Sequence, residues 1–103
     1  MGLPQLTDEQ RRQALQKAVE LRTRRARIRE QLKCGELSLA AVLERVDDEA
    51  IGRMRVQYLL TSLPQVGKVT AARIMEDLGI PPNRRVQGLG KRQKAELVQR
   101  LES

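Results

Sequence analysis

The chain has 103 residues, room for one small domain and an appendage but not for two independent cores. Its 20 Lys and Arg against 13 Asp and Glu give a net charge of +7, which favours a polyanionic partner, because neutralised phosphates release counterions. Phe, Trp and His are absent and Tyr58 is the only aromatic residue, so platforms for stacking splayed bases and the usual general base are missing. A duplex backbone fits this composition better than a single strand does.

The charge is unevenly placed. Residues 1–33 hold nine basic and four acidic side chains, residues 34–63 three and five, and residues 64–103 eight and four. Two basic ends flank an acidic middle. Cys34 stands alone, so no internal disulfide forms, no metal-ligand spacing is present and a reducing cytosol is the expected compartment. No apolar run approaches the ~20 residues that cross a bilayer, and no signal-peptide pattern opens the chain, so the expectation is a cytoplasmic protein with no membrane partner.

Taken in chain order, residues 7–33 read as one long helix, which would measure about 40 Å. Thr7 is the N-cap and Gln10 completes a capping box, and Cys34-Gly35 ends the helix. Ala14, Ala18, Leu21, Ile28 and Leu32 form a thin apolar seam that Arg25 interrupts, so the first half has little to bury and is expected to order on DNA. Arg22, Arg25, Arg29 and Lys33 fall on one side, with Arg24 and Arg27 nearby. This pattern is that of a phosphate-binding arm; the alternative is a solvated face supported by Asp8–Arg12 and Glu20–Arg24 pairs.

Ser38 can cap a short helix with Leu39, Val42, Leu43 and Val46 on its apolar face. Asp47-Asp48-Glu49 opens a further helical turn, where carboxylates suit the positive end of the dipole better than a metal, since neighbouring side chains point apart. Gly52 breaks or bends the chain. A helix over residues 55–62 turns Val56, Leu59, Leu60 and Leu63 inward until Pro64 stops it.

Leu63-Pro64-Gln65-Val66-Gly67-Lys68-Val69-Thr70-Ala71-Ala72-Arg73-Ile74 places a glycine turn directly before an amphipathic helix. The first N–H groups of a helix lack internal partners and the dipole leaves positive charge there, so an anion at Gly67 to Val69 satisfies both, with Lys68 adding a full charge. Gly67 permits close approach or a positive φ, and Ala71 and Ala72 permit tight helix packing. The alternative is an ordinary helix corner without a ligand. The helix runs to about Leu78 and should bury Val69, Ala72, Ile74 or Met75, and Leu78, with Gly79 as its C-terminal cap. Pro81-Pro82-Asn83 turns the chain. Arg84-Arg85-Val86-Gln87-Gly88-Leu89-Gly90-Lys91-Arg92 is a basic, glycine-containing loop entering a last helix that carries Ala95, Leu97, Val98 and Leu101. Strand-like alternation is absent, and the fold class is all-α.

The order P-x-V-G-K-x-x-A-x-x-I-M, L-G-I-P, R-R-V-x-G-L-G and a terminal helix resembles the helix-two-turns-helix module of ribosomal protein S13 and some DNA glycosylases. Adding Leu3-Pro4-Gln5-Leu6-Thr7, Ile51-Gly52-Arg53-Met54-Arg55-Val56 and Leu59-Leu60, nearly the whole chain is similar to the actinobacterial integration host factor family. The resemblance implies a basic arm at 1–34 and a helical body at 35–103 with the module at 56–101. It also implies a monomeric, nucleoid-associated binder of double-stranded DNA that organises DNA and affects its topology, with phage integrase–DNA complexes as further partners and no cofactor or metal. Carried over by position, backbone contact falls to Gly67, Lys68, Val69 and Thr70, and loop contact to Arg84, Arg85 and Gly88. Lys91 and Arg92 at the last helix start and Arg22, Arg25 and Arg29 on the arm complete the expected set. Gln65 stands where related hairpins carry a second glycine, and Gln87 where basic residues are common.

The competing reading is an S13-like module bound to rRNA, whose folded backbone offers the same phosphates. A protein-interaction module using the arm's seam is poorer, because Arg25 and the alanines weaken that seam. Enzymatic activity is not expected, since no nucleophile and no His stand out.

Overall fold

The computed structural model describes residues 7–102, so the Leu3-Pro4-Gln5-Leu6 part of the family-like pattern lies outside the described residues. The helices are α1 Asp8–Lys33, α2 Leu39–Leu43, α3 Glu49–Gly52, α4 Val56–Leu60, α5 Lys68–Asp77 and α6 Lys91–Glu102, with a 3-10 turn at Val86–Gly88. The all-α expectation holds among the described residues; the only extended pairing is an isolated antiparallel bridge between Arg55 and Arg85. Two backbone bonds fix that bridge, Val56 N–H to Arg84 O (2.9 Å) and Val86 N–H to Met54 O (2.9 Å), and they tie the α3–α4 junction to the basic loop.

Local chemistry sets the helix ends. The capping box at the start of α1 is formed, with Gln10 N–H donating to Thr7 Oγ1 (3.1 Å) and Thr7 N–H to Gln10 Oε1 (2.9 Å). At the other end Gly35 takes φ +82° and Glu36 N–H reaches back to Gln31 O (2.8 Å), a Schellman closure. Gly79 ends α5 in the same way, at φ +70°, with Ile80 N–H on Met75 O (2.8 Å) and the Ile80 side chain buried.

Helices of four or five residues cannot persist alone, so α2, α3 and α4 exist because their apolar faces share one core. Leu39, Val42 and Leu43 from α2, Ile51 from α3, and Val56, Leu59 and Leu60 from α4 meet Met75, Val86 and Leu97 there. Of the 26 residues of α1 only Ile28 and Leu32 are buried. Ala14 and Ala18 of the expected seam are exposed and Leu21 is half-buried, so α1 joins the body through its last turns while the rest projects along it. The longest dimension of the molecule is 51 Å.

One sequence expectation is corrected and another sharpened. In α5, Val69 is 76% exposed and Ala72 is also exposed, whereas Ala71, Ile74 and Met75 are buried. The inward face is 71-74-75-78, set by the bulk of Ile74 and Met75, and Val69 lies about 200° around the helix from Ala71. Only Ala71 of the alanine pair makes the close packing. Gly52 ends α3 as expected, but as a buried residue in close contact, where an added Cβ would lie 2.6 Å from Val46 O.

Candidate nucleic-acid interface

The turn before α5 leaves a helix start open to solvent. Gln65, not Gly67, carries the left-handed conformation (φ +66°), while Gly67 is an extended N-cap at φ −89° and ψ −179°. Nothing lies within 4 Å of a Cβ built on Gly67, so the space in front is free for a ligand. No side chain caps the helix, and Lys68, Val69 and Thr70 are exposed, so the first N–H groups of a ten-residue helix are left to external acceptors.

The arm approaches this site from the other side. Arg29 is drawn into the body: its Nε donates to Ser62 Oγ (2.8 Å), one of its terminal nitrogens to Thr61 Oγ1 (3.3 Å), and its guanidinium carbon sits 3.8 Å from the Tyr58 ring centroid. Arg24 pairs with Asp48, and Lys17 Nζ with Glu49 Oε2 at 3.1 Å. Neither helix-surface pair, Asp8–Arg12 or Glu20–Arg24, forms among the described residues; in the second, Arg24 turns to Asp48 and Glu20 accepts from Gln16 Nε2 (3.4 Å). Asp48 does cap α3, its Oδ1 accepting from Ala50 N–H (3.0 Å), as the capping reading expected.

With α1 pinned at these points, Arg22 and Arg25 face Arg53, Arg55 and Arg85 across a groove of about 550 Å³, with Tyr58 on its wall. A second hollow, sharing Arg55 and Tyr58, continues past Gln57 and Thr61 to Lys68. One concave basic surface thus runs from the arm to the open start of α5. Among the described residues no carboxylate lies within salt-bridge distance of Arg22, Arg25, Arg55, Arg85 or Lys68. Backbone carbonyls orient two of these side chains: a terminal nitrogen of Arg85 donates to Arg53 O (2.6 Å) and one of Arg55 to Asn83 O (3.3 Å).

The remaining expected residues are spread more widely. Arg84 folds back on the loop, donating to Gly88 O (2.7 Å), and a Cβ on Gly88 would stand 2.9 Å from Arg84 Cδ, so this glycine makes room for the arginine. Lys91 and Arg92 at the start of α6 do not line the groove, and Arg92 Nε is held by Glu96 Oε1 (2.9 Å). Sequence reasoning missed Arg53, Arg55 and Tyr58 as groove residues. The signal was present in Arg53-Met54-Arg55, where buried Met54 between two exposed arginines turns both outward. Among the described residues no group of His, Cys, Asp or Glu could hold a metal ion, and no helix is long and apolar enough to cross a membrane.

An open helix start and a paired basic loop on a small all-helical body define a helix-two-turns-helix protein, and residues 32–101 match the family model of the S13-like H2TH domain. The chain is 49% identical over 104 residues to the integration host factor of Mycobacterium tuberculosis, covering 100% of this chain and 99% of that protein. It is 50% identical over 98 residues to the integration host factor of Streptomyces coelicolor, covering 94% and 92% of the two chains. A solved structure, sIHF bound to an 8-bp palindromic DNA, matches with a TM-score of 0.80 and 45% identity over 84% of this chain and 98% of that one. The chain belongs to the integration host factor family found in mycobacteria and Streptomyces. The resemblance drawn from the sequence is therefore borne out, as is the S13-like module.

Proposed function

We propose that this protein binds double-stranded DNA through its sugar-phosphate backbone and acts as a nucleoid-associated, DNA-organising protein in the cytoplasm. The observation that carries the reading is the convergence of five arginines from α1, the α3–α4 junction and the basic loop on one groove that leads to Lys68. Guanidinium groups suit phosphate oxygens, and the free N–H groups at Lys68, Val69 and Thr70 supply a further anion grip. The contact set is Gly67, Lys68, Val69 and Thr70 at the α5 start, Arg84, Arg85 and Gly88 in the loop, Arg22 and Arg25 on the arm, and Arg53 and Arg55 at the junction. Lys91 and Arg92 extend the positive field toward α6, and Arg29 positions the arm. In this reading the chain divides into an arm at 1–34, which gives the groove Arg22 and Arg25, and a body at 35–103, which gives it Arg53, Arg55 and Arg85, and assistance to phage integrase follows from presenting shaped DNA.

Support also comes from a relative of 45% identity solved on DNA and from integration host factors that match over nearly the whole chain. The rRNA reading has no comparable support. The test is fluorescence anisotropy with two unrelated DNA duplexes and a structured rRNA hairpin across a salt series. Similar duplex affinities that fall steeply with salt, and weaker RNA binding, are expected. Preference for the hairpin would overturn the reading.

A further inference from the structure

Among the described residues Glu49 is the one carboxylate on the shoulder of the arginine groove, a hollow of about 260 Å³ beneath the arm whose walls include Arg22, Arg25, Arg53 and Arg85. Its two oxygens serve different elements: Oε2 lies 3.1 Å from Lys17 Nζ on α1, and Oε1 lies 3.2 Å from a terminal nitrogen of Arg53. Asp48 beside it pairs with Arg24, using the oxygen that does not cap α3. Glu49 makes no capping bond, so both of its oxygens are left to the cations. Every described residue of α1 before Leu21 is exposed, which leaves Lys17–Glu49 as the polar tie between that stretch and the body.

We propose that Glu49, assisted by Asp48, stands in the free protein where a DNA phosphate sits in the complex, and is displaced by the duplex. The proposal rests on the DNA-backbone reading above. Carboxylate and phosphate oxygens accept the same charge-assisted hydrogen bonds from ammonium and guanidinium groups. In all three pairs the cationic end is more than half exposed and the carboxylate is a quarter to a third exposed, so water and salt reach each pair and the cation can exchange partners. Before DNA arrives, the acids hold Arg53 on the groove wall and engage Lys17 and Arg24 of the arm. On binding they give these cations up, and their own charge then opposes the phosphates, so the free acids lower affinity and flatten its salt dependence. Arg53 links the two states, since it lines the groove and bonds Glu49.

The experiment compares Glu49→Gln, the double variant D48N/E49Q and the control E36Q/E44Q by duplex anisotropy across a salt series. Asn retains a capping oxygen at position 48. The control makes the same charge change at two exposed residues that form no ion pair among the described residues. Plots of log affinity against log salt should steepen by about 0.9 for Glu49→Gln and by about twice that for the double variant, with tighter binding at low salt. The control should move by less than half as much. Amide exchange over residues 8–24 should quicken in the free double variant and return to the wild-type pattern on DNA. A slope no steeper than the control's, or unchanged exchange in the free double variant, overturns the phosphate stand-in while wild-type binding upholds the DNA reading. Failure of the wild type to bind duplex overturns both. Should the double variant not fold, Glu49→Gln carries the same slope prediction.

Discussion

Replacing Arg29 by Met separates a residue that positions the arm from one that touches DNA. The side chain makes one short charge-assisted bond to Ser62 Oγ at 2.8 Å, a longer one to Thr61 Oγ1 at 3.3 Å, and a stacking contact with a Tyr58 ring that is itself 47% exposed. A hydrogen bond to a charged group contributes about 1.5–3 kcal/mol and an exposed cation–π contact about 0.5–1 kcal/mol. The loss falls toward the low end because neither hydroxyl is orphaned: Ser62 and Thr61 both donate to Tyr58 O, at 3.2 and 2.9 Å. Met also fills the space of the arginine stem. A net cost of about 2 kcal/mol is expected, which lowers the melting temperature of a domain this size by roughly 8–15 °C. Thermal melts followed by circular dichroism give the stability. Anisotropy in a salt series, taken well below the melt, gives the phosphate count. The positioning role predicts a lower Tm and a salt slope within about half of one phosphate's share, which is ~0.9. An unchanged Tm with a slope reduced by a full share would refute it and return Arg29 to the direct contacts.

Gly52→Ala places a Cβ 2.6 Å from a backbone carbonyl, where no flexible side chain can yield, and should destabilise by about 3 kcal/mol or more in urea unfolding; an unchanged midpoint would contradict the packing. Arg55→Ala and Lys68→Ala should each flatten the salt slope by about one share and weaken binding to unrelated duplexes alike, whereas a loss confined to one sequence would point to base readout. At Gln65 (φ +66°) a β-branched Val should cost about 1–2 kcal/mol, while Gly should be near neutral because relief of strain offsets its added chain entropy; equal melts for the two variants would show that the left-handed turn is not kept.

What the sequence disclosed and what it concealed follow one division. Helix ends were legible at Thr7, Gly35 and Gly79, because caps are chemistry within a few residues of the backbone groups they satisfy. The open start at Gly67–Lys68 was legible for the same reason. The inward face of α5 was misread, since Val69 and Ala72 satisfy the spacing rule almost as well as Ala71 and Met75 do, and only the bulk of the surrounding core decides between them. The groove was half legible. Arg22 and Arg25 share a helix face that periodicity reveals, but Arg53 and Arg55 join them through the Arg55–Arg85 bridge, a contact across thirty residues that no local pattern encodes. Asp48 and Glu49 were visible as helix-start residues and invisible as partners of the arm.

The division of the chain at residue 34 is also sharper in sequence than in energy. Charge and seam suggest an arm that could be removed whole, yet Ile28 and Leu32 belong to the core of the body, at 8% and 1% exposure. Burying two such side chains contributes about 1.5–3 kcal/mol each, and Arg29 adds about 2. Together that is a large part of the about 5–15 kcal/mol that holds a typical domain. Removal of residues 1–34 should therefore leave a body that melts far lower or does not fold, because α2, α3 and α4 are too short to stand without their shared core. Removal of residues 1–20 takes away no buried described residue and, besides the α1 capping box and the Gln16–Glu20 bond within the arm, only the Lys17–Glu49 ion pair to the body, so its melt should stay within a few degrees of the full chain. Parallel thermal melts of the two truncations decide the matter. If the 1–34 deletion melted like the full chain, Ile28 and Leu32 would be passengers and the arm a separable part; if the 1–20 deletion collapsed, the exposed stretch would be holding more than one ion pair can explain.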